Sequence, residues 1–96
     1  MRVRYRARAL SDLEDIYRYL APRSPSGAHN VLRVIHGAID EIAEFPYSAV
    51  RTDDPNFRVK VLGRYRYKIF YRVLDSDEVV IVHIRHAARR PWRDLS

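Results

Sequence analysis

Cysteine is absent from this 96-residue chain, and methionine and tryptophan each occur once. Without cysteine there can be no disulfide and no thiolate chemistry, which fits a reducing compartment. Three glycines, at positions 27, 37 and 63, leave no glycine-rich phosphate loop. No apolar run approaches the roughly 20 residues of a membrane span, and MRVRYRARAL lacks the apolar centre of a signal peptide. A cytoplasmic protein without a membrane partner is the expectation. Internal repeats, low-complexity tracts and a linker to a second domain are also missing, so residues 1–96 are read as one domain.

What is plentiful is arginine. Hydrophobic residues make up 47% and charged residues 31%, a globular balance, and sixteen of the eighteen cations are arginine. Residues 51–96 carry +5 of the net +6. That asymmetry suggests an anionic partner, either nucleic acid or an acidic protein segment.

Arg2-Val3-Arg4-Tyr5-Arg6 alternates with period two and reads as a short, arginine-studded edge strand. Leu10, Leu13, Ile16, Tyr17 and Leu20 recur at helical spacing. Ser11 and Glu14 fit a capping box, although the helix could equally begin near Ala7. Asp12, Glu14 and Asp15 then fall in its first turns, where carboxylates suit the dipole. Pro22, Pro25 and Gly27 mark a connection, and Val31, Ile35, Ala38, Ile39, Ile42 and Phe45 form the stripe of a longer helix stopped near Pro46. Residues 47–56 read as a loop. Three strands follow, Phe57 to Leu62, Tyr65 to Leu74 and Val79 to His86, with Gly63 and Asp75-Ser76-Asp77 as turns. The order β-α-α-β-β-β predicts an α+β domain, an antiparallel sheet with a helical hairpin on one face.

Alternation assigns Val59, Val61, Tyr65, Tyr67, Ile69, Tyr71, Val73, Val80, Val82, Ile84 and His86 to the helix side. The opposite, open face then gathers Arg58, Lys60, Arg66, Lys68, Arg72, His83 and Arg85. His29 and His36 are two turns apart on one helix and without a third ligand, so no metal site is expected.

The segments LSDLEDIYRYL, AIDEIAEFP, YRYKIFYRV and VVIVHIRHAARR together resemble the RelE/ParE superfamily, toxins of bacterial type II toxin–antitoxin pairs. The resemblance spans nearly the whole chain and lies closer to the ParE branch, whose last strand often ends in histidine, small residues and arginine, as in His86-Ala87-Ala88-Arg89-Arg90. It implies a toxin neutralised by a cognate, ParD-like antitoxin with an acidic disordered segment, inhibiting DNA gyrase when free and reaching operator DNA only through the antitoxin. No cofactor is implied. The residues expected at a target or antitoxin are Arg58, Lys60, Arg66, Lys68, His83, Arg85, Arg89 and Arg90, with Trp92 anchoring the tail. An alternative is a ribosome-dependent, metal-independent mRNA endonuclease of RelE type. In that case Lys60, Arg66, Lys68 and Arg85 surround the phosphate, and His83 or His86 serves as acid or base. RelE-like enzymes typically place a tyrosine or histidine near the C-terminus, and here every tyrosine precedes residue 72. A third reading is a non-toxic relative that acts only as a co-repressor with its antitoxin.

Overall fold

Both helices and every strand expected from the periodicity are present in the computed structural model, which describes residues 1–74 and 77–86. The chain runs β1 (Arg2–Tyr5), α1 (Ala7–Leu20), α2 (Pro25–Glu44), β2 (Val50–Arg51), β3 (Arg58–Val61), β4 (Tyr67–Leu74) and β5 (Glu78–His86). Helix α1 starts at Ala7, so the capping-box start at Ser11 is not used, and Arg6 gives it no side-chain cap. Helix α2 has a built start. Ser24 accepts a hydrogen bond from the Gly27 amide at 3.0 Å, and Pro25 occupies the first helical position, where its missing N–H costs nothing. A Cβ on Gly27 would lie 2.8 Å from the Ser24 hydroxyl, so the bare glycine lets that cap close. Ser24→Ala is expected to cost about 1 kcal/mol, read as a lower urea midpoint at unchanged slope.

The five strands form one sheet in the order β1-β5-β4-β3-β2. β2 to β5 pair antiparallel, whereas β1 lies parallel to β5 at the edge, making the sheet mixed. Alternation reports the faces of a terminal strand but not its direction. The two-residue β2 lies inside the segment expected to be loop and borders β3. Both helices pack on one face: Ala9, Ile16, Val31, Ile35, Ile39 and Ile42 share a core with Ile69, Tyr71, Val79, Ile81 and Ile84. The stripe of α2 matches expectation up to Ile42, while Phe45, past the helix, is exposed. The stripe of α1 is rotated, with Ala9, Asp12 and Ile16 buried and Leu10 and Tyr17 about half exposed. Among the described residues, no helix is long and apolar enough to cross a membrane.

Candidate functional site

Directly opposed residues of an antiparallel pair share a face, so the register sorts every side chain. Ile69 faces Ile84 and Tyr71 faces Ile81 on the helix side. Phe70 therefore faces His83, and Lys68 faces Arg85, on the other side. Between Ile81 and His83 the register shifts, leaving Val82 as an extra residue without an opposite partner in β4. This bulge corrects the expected row of β5. The core face carries Val79, Ile81, Ile84 and His86, not Val80 and Val82. His86 sits where expected, beside the core, with its ring edge-on to Tyr67 at 5.1 Å.

Strand β3 is also turned over relative to expectation. Arg58 is opposite Tyr71 and Lys60 opposite Ile69, which places both cations on the helix side, while Val59 and Val61 join Phe70 and Lys68 on the other face. The partners explain the choice. Lys60 Nζ lies 2.9 Å from Glu41 of α2. Nη1 of Arg58 donates to the carbonyls of Tyr47 and Ala49, at 3.2 and 2.8 Å, in the segment following α2. Val61 accordingly stands 58% exposed. Arg66 belongs to no strand. It forms the β3–β4 turn with Tyr65, both in the left-handed region at φ 58° and 67°, closed by Leu62 N–H donating to Tyr67 O at 2.8 Å.

The largest departure is His83. Rather than standing on the surface, it is 3% exposed. Its ring stacks on Phe70 at 5.9 Å between centroids, and Nδ1 lies 2.6 Å from Oδ2 of Asp12, to which it donates. The same Oδ2 accepts the backbone N–H of Ile84 at 2.9 Å. Oδ1 accepts from Nε of Arg8 at 3.2 Å. Strand β1 pairs with β5 only as far as Ile81. Beyond that point the Asp12 carboxylate on α1 serves the N–H of Ile84, which no strand serves. A buried carboxylate needs such donors, and here three converge on it. Asp12 thus belongs to the second turn of α1 and ties that helix to β5. The signal was present in the sequence: Asp12 is three residues after Ala9 and four before Ile16, on the buried stripe.

Of the residues expected at one site, Lys68 and Arg85 remain together on the face away from the helices. Arg72 is on that face too, opposite Val80. Arg58 and Lys60 are on the other face, Arg66 is in a turn and His83 is buried. Arg89, Arg90 and Trp92 lie outside the described residues. His29 and His36 are exposed. Leu13, Glu14, Tyr17, Arg18, Leu32 and His36 line a groove of about 310 Å³ between the two helices.

A two-helix hairpin on this mixed sheet is the architecture of RelE/ParE-type toxins. The ParDE system from P. aeruginosa superimposes with a TM-score of 0.66 at 21% identity, covering 90% of this chain and 95% of that one. The intact E. coli RelBE toxin–antitoxin complex gives 0.62 at 19% identity, covering 92% and 98%. The family model described as "ParE toxin of type II toxin-antitoxin system, parDE" matches residues 3–91. "Putative toxin Y4kP" of Sinorhizobium fredii is 35% identical over 86 residues, 90% of this chain and 88% of that protein. The chain belongs to the ParE toxin family of type II toxin–antitoxin systems.

Proposed function

We propose that this toxin inhibits DNA gyrase when free and is neutralised by a cognate antitoxin. The observation carrying the choice of gyrase over messenger RNA is the dispersal of the groups a nuclease needs. General acid–base cleavage requires an imidazole within hydrogen-bond reach of the reacting oxygen and cations around one phosphate. Here His83 is committed to Asp12 inside the fold. Lys60 is paired with Glu41 on the opposite face from Lys68 and Arg85. That arrangement suits a surface for contact better than a centre for chemistry.

Lys68 and Arg85 carry the contact to target or antitoxin, joined by Arg66 at the adjoining turn and by Arg89, Arg90 and Trp92 of the tail. Lys68 and Arg85 stand directly opposite one another, so an acidic partner lying across the sheet meets two positive charges at once. The antitoxin, a disordered acidic segment, folds on binding and lays an apolar stripe in the groove between α1 and α2, where Tyr17 stands 52% exposed. It also couples the toxin to operator DNA.

The test is a supercoiling and DNA-cleavage assay on purified gyrase. The chain is expected to inhibit supercoiling and accumulate gyrase-linked breaks, and equimolar antitoxin is expected to reverse both. Untouched gyrase together with cut messenger RNA on ribosomes would replace this reading with the endonuclease one.

A further inference from the structure

At the far end of the sheet from Lys68 and Arg85, the segment after α2 folds against β3 and β4. There Tyr47, Arg51, Asn56, Arg58 and Arg72 line a cavity of about 190 Å³. Arg4, Arg8, Arg18 and Lys60 each meet a carboxylate within 3.7 Å. Arg51, Arg58 and Arg72 make no ion pair among the described residues. Asp53 and Asp54 belong to the same loop but not to the cavity wall, and Asp54 Oδ1 is occupied by the amide of Asn56 at 2.9 Å.

The arginines are held in place by the fold rather than by counter-charges. Arg58 is fixed through Nη1 to two carbonyls and lies 5.1 Å over the Tyr47 ring. Arg72 lies 5.8 Å over Phe57. Arg51 is directly opposite Arg58 in the β2–β3 register, a like-charge pair that a bound anion would stabilise. Pre-positioned guanidiniums of this kind recognise phosphate oxygens, several donors to several acceptors.

We propose that this cavity binds the phosphate of a nucleotide. Its volume is below the roughly 300–1,000 Å³ of pockets that enclose a whole small molecule, so the anion fits inside and the rest of the ligand lies at the mouth. Tyr47 is there, 66% exposed, as a platform on which a base stacks. The site does not depend on the gyrase reading, because none of its residues is among those assigned to target or antitoxin contact.

Calorimetric titration of the full chain tests it with inorganic phosphate, adenosine 5′-monophosphate, adenosine, a dinucleotide lacking terminal phosphates, and triglutamate. The monophosphate is expected to bind more tightly than inorganic phosphate, and adenosine alone not to bind. Arg51→Ala and Arg72→Ala should each weaken the monophosphate about tenfold or more. Tyr47→Ala should weaken the monophosphate and leave inorganic phosphate unchanged. Arg58→Lys replaces the fork by a point charge and should also weaken it, with circular dichroism confirming that each variant folds. A dinucleotide that matches the monophosphate would support the site and identify its source as the internal phosphate of a nucleic-acid strand. Tighter binding of triglutamate, no phosphate binding, or phosphate binding unaffected by Arg51→Ala and Arg72→Ala would overturn the proposal.

Discussion

Tyr71→Ala is expected to lower the stability of the folded chain by about 4 kcal/mol, a large part of the ~5–15 kcal/mol of a domain this size. Tyr71 has no exposed surface and lies at the centre of the sheet, between Arg58 of β3 and Ile81 of β5. Its hydroxyl donates to the Pro46 carbonyl at 2.6 Å, tying the end of α2 to the sheet. Tyr71→Phe removes that bond alone and should cost about 1–2 kcal/mol, so the two variants separate packing from hydrogen bonding. Chemical denaturation at neutral pH measures both.

The same residue predicts an alkaline limit. Burial raises the Tyr71 phenol above its ordinary value of 10.0, with the Arg58 charge opposing. Tyr5 is raised in the same direction by burial and by the charge of Asp40. The unfolded chain therefore releases these protons first. This contribution to stability is complete below about pH 10 and is lost as pH rises through the higher folded values. In Tyr71→Phe the alkaline decline should be shallower, which denaturation midpoints between pH 8 and pH 11 would reveal.

Asp12→Ala should cost about 3 kcal/mol, because it leaves the Nδ1 of His83 and the N–H of Ile84 buried without their acceptor. Asp12→Asn retains an oxygen for Ile84 and should cost less. His83→Ala in combination with Asp12→Ala should be far less destructive than the sum of the single changes, the signature of two residues acting as a pair. Additive losses would mean that α1 is tied to β5 by packing alone.

How far the sequence discloses this fold depends on the element. The stripe of α2 is plain because Val31, Ile35, Ala38, Ile39 and Ile42 follow one helical period without interruption. In α1, Leu10 and Tyr17 are as apolar as the residues beneath them, and the buried position goes instead to a carboxylate whose donors are some seventy residues away. Periodicity carries no information about such a partner. In β5, one extra residue at Val82 reverses the faces before it relative to those after it. His83 and His86, after the bulge, therefore lie on the faces expected, whereas Val80, before it, does not, and His83 departs from expectation only in being buried. Strand β3 reads Arg-Val-Lys-Val, in which alternation separates two faces but does not say which one meets the helices. Glu41 and the carbonyls of Tyr47 and Ala49 decide it. The candidate surface was legible as composition, a basic C-terminal half, and not as geometry. Three of its cations and one histidine divide among a core, a helix face and a turn.

The proposed cellular role is tested most directly by inducing the chain without its antitoxin in bacteria and following DNA synthesis and protein synthesis separately over the first minutes. If gyrase is the target, DNA synthesis falls first, with gyrase-linked breaks, and co-expressed antitoxin prevents it. An early fall in protein synthesis with cleaved messenger RNA and intact gyrase activity would contradict the proposed role.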